Sequence, residues 1–460
     1  VYPGGSPQTS NAACIFSSAG YQSGICNFYG EGDFTVSMIG SFSMVPGTYV
    51  HNKGTNVTTC QFMLNAPPTG YPTTYGPSQL IISNINPTGK NPPNNFHLIC
   101  PGYKPYPNTE QIFTKEFLAM EAPFSISRGH ADYSPGTQGF LNETDWNTRV
   151  DPNMFSCWGS SYEATIALCN ASNTDFWVHV PVSATEDWMK NFAKLVHSSL
   201  KPNLHVYVEY ANECWNWGYN YCSIIEADDQ ANPSLDSTGW FRHGQQVAFK
   251  TMQIYEAMHS ILGSQARYVL MGQMGAMSYT CQAGLDWINR HYGPASNYIY
   301  GIGGAAYIGP SSAVPYTDLP SLFASLEASL SSSIIPSLKQ CRTLANEYNV
   351  KVVCYEGGQG LAPKSDLSDF NFLMSAQLDP GMTTLYTNLA HALDSTGVDE
   401  MNFTDDCAGW SQYGYWGNVV DVRQANSSSP KFSTCAAVAQ SGTQSPARIP
   451  PPAPAKKHHG

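Results

Sequence analysis

The sequence predicts an α/β protein: a (β/α)8 barrel preceded by a small all-β, sandwich-like module. Three observations carry that expectation. The first ninety or so residues are rich in Gly, Pro, Ser, Thr and Asn, with short alternating runs between turn clusters. From residue 93 onward, short apolar runs alternate with stretches of helical period. Two of those runs end in a lone glutamate, where a barrel strand presents its catalytic side chains.

In the N-terminal module (residues 1–92), Phe34-Thr35-Val36-Ser37-Met38-Ile39 and Gln79-Leu80-Ile81-Ile82 read as antiparallel strands. Turn clusters such as Pro67-Pro68-Thr69-Gly70 and Pro87-Thr88-Gly89 bound them. The barrel is expected over residues 93–440. Its eight strands are taken as Phe96–Cys100, Phe124–Ser127, Phe176–Val180, His205–Tyr210, Tyr268–Met271, Tyr298–Ile302, Val350–Cys354 and Val398–Phe403. Between several of them lie helical faces: Val247, Thr251, Ile254, Tyr255, Met258, Ile261 and Leu262, stopped by Gly263; Leu322, Leu326, Leu330 and Leu338; and Leu385, Leu389 and Leu393. Residues 441–460, with Ile449-Pro450-Pro451-Pro452-Ala453-Pro454, read as an extended Pro-rich tail or linker, a means of extracellular assembly. No flexible linker separates the β module from the barrel, so the two are expected to pack together.

Composition narrows the function classes. Aromatic residues make up 12% and charged residues only 12% of the chain, so the surface is polar without being ionic. The net charge of −12 and the absence of a Lys/Arg patch exclude a nucleic-acid binder. No apolar run is long enough to span a membrane. The chain starts at Val1 without a leader and reads as a mature extracellular chain. Thirteen scattered cysteines without a CxxC support disulfides rather than a metal site. Short loops close most easily, which favours Cys14–Cys26, Cys60–Cys100, Cys157–Cys169 and Cys214–Cys222, then Cys281–Cys341 and Cys407–Cys435, leaving Cys354 free in a buried strand. Sequons stand at Asn56, Asn142, Asn170, Asn402 and Asn426, about the number that chance supplies at this composition.

The chemistry is concentrated in two segments. Val206-Tyr207-Val208-Glu209-Tyr210-Ala211-Asn212-Glu213 is a strand ending in Asn-Glu, with Trp215 and Trp217 close behind. A carboxyl walled by tryptophan holds its proton and serves as a general acid, and the neighbouring amide suits a sugar hydroxyl. Val352-Val353-Cys354-Tyr355-Glu356-Gly357-Gly358 ends in a second carboxylate about three βα units later. Two facing carboxyls are what glycosidic cleavage requires, one to protonate the leaving oxygen and one to attack the anomeric carbon or activate water. No metal or organic cofactor is needed for this chemistry. His97, His130 and His179 lack metal-ligand spacing, and no GxSxG supports a serine hydrolase.

Asn-Glu ending strand four and Glu ending strand seven resemble the retaining (β/α)8-barrel glycoside hydrolases. A narrower likeness runs through Trp146-Asn147-Thr148-Arg149, Tyr162-Glu163-Ala164, Trp177-Val178-His179-Val180-Pro181, the YxEYxNExWN segment at Tyr207–Asn216, Tyr355-Glu356-Gly357-Gly358-Gln359 and Tyr413-Gly414-Tyr415-Trp416-Gly417. It is similar to secreted proteins labelled glycosyl-hydrolase-like or cellulose-binding-domain proteins, over roughly residues 95–420, and departs from them in having Cys214 after the glutamate. The resemblance implies Glu213 as acid/base, Glu356 as nucleophile and Asn212 against the 2-hydroxyl. It also implies Tyr307 on the nucleophile, Trp410 or Trp416 stacked on a sugar, and Arg128 or His130 keeping the nucleophile ionised. Trp215 and Trp217 are either sugar platforms or core aromatics. The function expected is retaining cleavage of β-linked polysaccharide or oligosaccharide. The alternative is a non-catalytic carbohydrate-binding or structural extracellular glycoprotein on the same fold.

Overall fold

The computed structural model describes residues 12–18, 22–65, 78–85, 93–108, 112–129, 145–149, 152, 161–219, 221–311, 316–362, 367–402, 410, 414–424 and 429–441. Its first part is antiparallel. Strands β1 (Ala12–Ser18), β2 (Gly24–Glu31), β3 (Thr35–Ile39), β4 (Phe42–Met44), β5 (Val50–Asn52), β6 (Val57–Leu64), β7 (Ser78–Ser83) and β8 (Asn94–Ile99) form a three-stranded sheet, β1-β7-β3, and a larger one, β4-β6-β2-β8 with β5 on β6. Alternation in β6 buries Thr58, Cys60, Phe62 and Leu64 and leaves the intervening residues more exposed. Phe28, Phe34, Phe62 and Phe96 meet edge-on or stacked in the core.

One expectation is corrected here. Phe96–Cys100 is not the first barrel strand. It is β8, registered antiparallel on β2 with Asn27 opposite Ile99 and Phe28 opposite Leu98. The apolar run has a strand's length and composition, but periodicity does not name a strand's partner, and Phe96 finds its aromatic neighbours in the β module. The N-terminal sheets therefore extend to residue 99, past the boundary expected at 92.

The second part is a parallel sheet of seven strands, β9 (Ile126–Arg128), β10 (Asp175–Val180), β11 (Val206–Tyr210), β12 (Ala266–Met271), β13 (Gly301–Gly303), β15 (Lys351–Cys354) and β17 (Glu400–Met401), in that spatial order. β14 (Ala306–Ile308) and β16 (Gly357–Gln359) pair in parallel just beyond β13 and β15. These seven match expected strands two to eight. Among the described residues no strand joins β9 to β17, so the parallel sheet curls without the eighth strand that a closed barrel requires. β10 and β11 are buried at every position, as a sheet covered by helices on its outer side demands.

The helices follow the local signals. α1 is Lys115–Glu121, α2 Tyr162–Ser172, α3 Glu186–Ser199, α4 Cys222–Ala231, α5 Gly239–Leu262, α6 Ala283–His291, α7 Leu319–Ser329, α8 Ile335–Tyr348, α9 Leu367–Gln377, α10 Gly381–Thr396 and α11 Pro430–Gln440. Thr185 caps α3 through the Trp188 amide, and two acidic residues in its first turn favour the positive helix end. α5 ends at Gly263 with φ 55°, as its sequence predicts. The Leu322/Leu326 and Leu385/Leu389/Leu393 faces are buried together in one cluster. No described helix is long and apolar enough to cross a membrane.

Inside the curl, side chains stack in levels. At the floor, Glu400 accepts from the hydroxyls of Tyr207 and Tyr300, both at 2.6 Å, and Arg267 lies over both rings. Above it Trp177 stacks on Tyr207 with centroids 5.1 Å apart. The β module touches the second part through Asp421, which accepts from the Ser23 amide at 2.9 Å and its hydroxyl at 2.6 Å and is paired with Arg423. That contact agrees with the packed arrangement expected.

The cysteines depart from expectation. Cys60, Cys100, Cys214, Cys222, Cys281 and Cys341 carry free thiols, so Cys60–Cys100, Cys214–Cys222 and Cys281–Cys341 are not joined. For the first pair the reason is topological: β2 stands between β6 and β8, so Cys60 lies opposite Phe28. In the others the thiols turn to carbonyls, Cys214 to Tyr210 at 3.4 Å, Cys222 to Asn216 at 3.1 Å and Cys281 to Leu270 at 3.3 Å. Cys354 is a buried thiol on β15. The remaining proposed pairs depend on Cys14, Cys157 and Cys407, whose side chains lie outside the described residues, as do Asn142, Asn426, His130 and the Pro-rich tail. The Asn170 amide donates to the Ser199 carbonyl at 2.8 Å on the surface, the amide nitrogen of Asn402 is buried, and Asn56, on a turn before β6, is partly exposed.

Candidate active site

The site lies at the carboxyl ends of the parallel strands, where the side chains of successive strands converge. Arg128 is the last residue of β9, Asn212 and Glu213 follow β11, Gln273 and Met274 follow β12, Ala305 and Tyr307 follow β13, and Tyr355 and Glu356 follow β15.

The turn after β11 is the unusual element. Ala211 and Glu213 both adopt left-handed backbone, at φ 54° and 47°. A side-chain-bearing residue pays for that conformation, so two such residues one step apart mark a turn held by its surroundings. The Ala211 amide is held by the Val180 carbonyl at 2.9 Å, and the Tyr221 hydroxyl donates to the Asn212 carbonyl. The result breaks the alternation of the strand. Asn212 and Glu213, adjacent in sequence, both reach groups at the mouth of the sheet.

The two glutamates have different neighbours. Glu356 Oε1 accepts from Arg128 Nη1 at 2.6 Å, and Oε2 accepts from the Tyr307 hydroxyl at 2.8 Å. A guanidinium with charge-assisted geometry holds a carboxyl as its anion. Glu213 Oε1 accepts from the Tyr355 hydroxyl at 2.9 Å and Oε2 from the Asn216 amide at 2.8 Å, both neutral donors. Burial raises the proton affinity of Glu213 above the ordinary carboxylate value; the charge of Glu356 adds to the rise, and the two hydrogen bonds oppose it.

Arg128 joins the parts. Its side chain is 6% exposed, Nη2 donates to Asn212 Oδ1 at 2.6 Å, and its guanidinium lies 4.9 Å from the Tyr355 ring centre. Below it Glu209 accepts from the Trp177 indole at 2.8 Å, and its Oε2 lies 3.5 Å from Arg128 Nη2 and 3.2 Å from His179 Nε2. Burial raises Glu209 to about 7, against the lowering effect of Arg128 and of Trp177. His179 is held well below its usual value by burial and then by the Arg128 charge. The amide nitrogen of Asn212 is buried and has no hydrogen-bond partner among the described residues.

Beside these groups opens a cleft of about 460 Å³, lined by Glu213, Trp215, Asn216, Trp217, Gln273, Met274, Ala305 and Tyr355. Trp215 is half-buried against Tyr355, whereas Trp217 is 49% exposed. The structure thus brings Glu213, Glu356, Asn212, Arg128, Tyr307, Trp215 and Trp217 together. It does not bring Trp410, which is 6% exposed, donates its indole N–H to Gly417 at 3.0 Å and packs in the core, with no face left for a sugar. Trp416 is half-buried with its ring against Gly414. Sequence reasoning missed Tyr355, Asn216, Gln273 and Glu209. A charge in the middle of the apolar run Val206–Tyr210 was the available signal for Glu209, because a buried carboxyl needs a partner.

No protein-family model matches the chain, and no curated protein sequence matches it. Similar solved structures include a GH51 arabinofuranosidase from Xanthomonas axonopodis pv. citri, 12% identical over 67% of this chain and 63% of that one, with a TM-score of 0.44. A family 51 α-L-arabinofuranosidase from Bifidobacterium longum is 12% identical over 70% of this chain and 65% of its own, with a TM-score of 0.43. An endo-1,4-β-D-mannanase from Thermotoga petrophila is 12% identical over 71% of this chain and 94% of its own, with a TM-score of 0.40. The chain spans a little under two thirds of the length of the two arabinofuranosidases.

Proposed function

We propose that this chain is a glycoside hydrolase that cleaves β-linked polysaccharide with retention of configuration, using Glu356 as nucleophile and Glu213 as acid/base. The observation that carries the reading is the unequal pairing of the two strand-end carboxyls. Glu356 is held by a buried guanidinium and a phenol, and Glu213 by neutral donors in a site that favours its protonated form.

The steps follow from those environments. A Glu356 oxygen attacks the anomeric carbon as the bond to the leaving oxygen breaks, and Glu213 passes its proton to that oxygen. Glu213, now ionised, takes a proton from water, and the hydroxide formed displaces Glu356 from the anomeric carbon. Arg128 and Tyr307 orient the nucleophile between the two steps. Asn212, whose buried amide nitrogen has no partner among the described residues, is the assigned donor to a sugar hydroxyl in this reading, and Trp215 and Trp217 offer apolar faces in the cleft wall. An extracellular setting belongs to the same proposal and rests on the low charge of the surface. The buried thiols do not oppose it, since thiols that hold their protons are inert to oxidation.

The test is kinetic and stereochemical. Wild-type protein is assayed on aryl β-glycosides and on β-glucans, mannans and xylans, with the first-formed anomer read by NMR. Glu356→Gln is expected to abolish turnover on every substrate. Glu213→Gln is expected to slow poor leaving groups far more than activated aryl glycosides, which need little acid assistance. An inverted first product, or equal losses for both leaving-group classes in Glu213→Gln, refutes the assignment.

A further inference from the structure

An exposed aromatic group stands next to the cleft. Trp240 is 43% and Phe241 49% exposed, at the start of α5, and with Trp217 they include both exposed tryptophans among the described residues. The rings form a continuous line. Trp217 meets Trp240 with centroids 5.9 Å apart, Trp240 meets Tyr279 at 6.1 Å, and Tyr279 meets Phe241 at 6.3 Å. Trp217 belongs to the cleft wall, so the line starts inside the candidate active site and runs outward from it.

The group is built rather than left over. His243, one turn into α5, is buried and has Nε2 2.9 Å from the carbonyl of Cys214, the residue after Glu213, and Nδ1 3.3 Å from Asp229. Its ring also lies 5.7 Å from Trp240 and 6.4 Å from Trp217, so the same side chain supports both. Arg242 donates to the carbonyls of Asp229, Asn232 and Leu235 and fixes the loop that leads into the helix. Gly244 lets the Tyr279 carbonyl approach so closely that a Cβ there would stand 2.1 Å from it, and this close packing sets Tyr279 beside Trp240. Exposing several large rings forfeits the stabilisation their burial would bring, so a rigid, exposed, contiguous set marks a surface with an occupant.

We propose that Trp240, Phe241 and Tyr279 form a distal sugar-binding shelf that holds additional units of a β-linked polysaccharide, on the leaving-group side of the cleft. The proposal rests on the glycoside hydrolase reading and extends it to chain-directed, internal cleavage. Three features single out a glycan as occupant. The shelf is continuous with the cleft at Trp217 and Glu213. Its members are flat aromatic faces, which match the C–H faces of pyranose rings, and Trp240 and Tyr279 each carry a donor for hydroxyls. Gln273, exposed at the cleft wall, adds a polar group to the cleft from which the shelf leads. A chain lying on the shelf enters from the side of Glu213, the group assigned to the leaving oxygen.

The test separates this inference from the reading beneath it. Sulfur-linked β-1,4-gluco- and manno-oligosaccharides of two to six units, which resist cleavage, are titrated calorimetrically into wild type, Trp240→Ala, Phe241→Ala and, as a remote control, Leu378→Ala. Affinity in wild type is expected to rise with chain length. Trp240→Ala is expected to bind the longest oligomer about tenfold more weakly, on the scale of one buried aromatic side chain, and the disaccharide with little change. Leu378→Ala is expected to match wild type. Since the substituted side chains are exposed, thermal unfolding should be unaltered. The same chain-length dependence in Trp240→Ala and Phe241→Ala as in wild type overturns the shelf. So does light scattering that shows a wild-type dimer lost in Trp240→Ala with sugar affinity unchanged, because the occupant is then a second copy of the chain. Length-dependent binding without hydrolysis of ordinary oxygen-linked oligosaccharides overturns the catalytic reading alone.

Discussion

Replacing Arg128 with Met tests the site at the residue on which most of it converges. The guanidinium is 6% exposed, stands 2.6 Å from Glu356 Oε1 and 2.6 Å from Asn212 Oδ1, and lies 3.5 Å from Glu209. Met fills much of the volume but supplies no donor. Removing one partner from a buried charge network costs about 3–5 kcal/mol, chiefly because the remaining charge is left uncompensated. Here part of that cost is relieved. Glu209, raised to about 7 with Arg128 lowering it, takes up a proton near neutral pH once the cation is gone. The expected loss is therefore about 3 kcal/mol at pH 7, or a fall in Tm of about 3 °C for a chain of this size. Catalysis should suffer more. Two hydrogen bonds from the same cation are lost, each worth about 1.5–3 kcal/mol when charge-assisted, so kcat/KM should fall by about 10² to 10⁴.

The assay pairs turnover of an aryl β-glycoside with thermal unfolding of the same sample. Arg128→Lys refines the result. It keeps the charge, but a single ammonium does not reproduce the two-pronged reach to Glu356 and Asn212, so its turnover should lie between wild type and Met. A kcat/KM for Arg128→Met within threefold of wild type, with the fall in Tm intact, would refute the reasoning. Arg128 would then be a structural cation and Glu356 would not depend on it.

Three further outcomes are expected. In the pH profile of kcat/KM on substrates with poor leaving groups, the alkaline limb should fall as Glu213 loses its proton, above the ordinary carboxylate range because burial raises its proton affinity; Glu213→Gln should remove that limb. Asp421 is pushed up by burial but brought down to about 2 by Arg423 and Ser23, so its stabilisation, about 2 kcal/mol, is present above its unfolded value of 3.8 and lost as pH falls towards 2; the stability gap between wild type and Asp421→Asn, read by denaturant unfolding, should close over that interval. Burial raises Cys26, Cys60, Cys222 and Cys341 to about 12, so iodoacetamide at pH 8 should leave them unmodified in the native protein and alkylate them once it is unfolded without reductant; failure to alkylate the unfolded chain would mean they are joined in disulfides.

Seven of the eight expected barrel strands were legible because most combine β-branched or aromatic residues with a neighbouring stretch of helical period, as at Phe176–Val180 before α3. Phe96–Cys100 was not, since a short apolar run has the same composition in an antiparallel module as in a barrel and only its partner differs. The cysteine pairs failed for a related reason. Loop length ranks the entropy of closure, but whether β2 stands between two cysteines is a matter of sheet order, which no spacing reveals. Trp410 failed because a tryptophan beside glycines suits a core as well as a platform, and its burial depends on Lys431 and Gly417 from elsewhere in the fold.

The two glutamates were legible as strand ends, yet their difference in character was not. In the sequence Asn212-Glu213 and Tyr355-Glu356 look alike: a polar residue, then a carboxyl, after an apolar strand. Three-dimensional placement divides them. Arg128 arrives from β9 and takes Glu356, while Tyr355, the neighbour of Glu356 in the chain, turns its hydroxyl to Glu213. The left-handed turn at Ala211 and Glu213 makes that exchange feasible, because an extended strand would send the side chains of residues 212 and 213 to opposite faces. A cation for one carboxyl and a phenol for the other suffices to separate their proton affinities at one pH, which is what an acid and a nucleophile in the same cleft require. Strain in the β11 turn and the asymmetry of the pair are thus one device. Substituting Ala211 with Gly, which adopts φ 54° freely, should relax the turn's demand on its surroundings without moving either carboxyl from its partner.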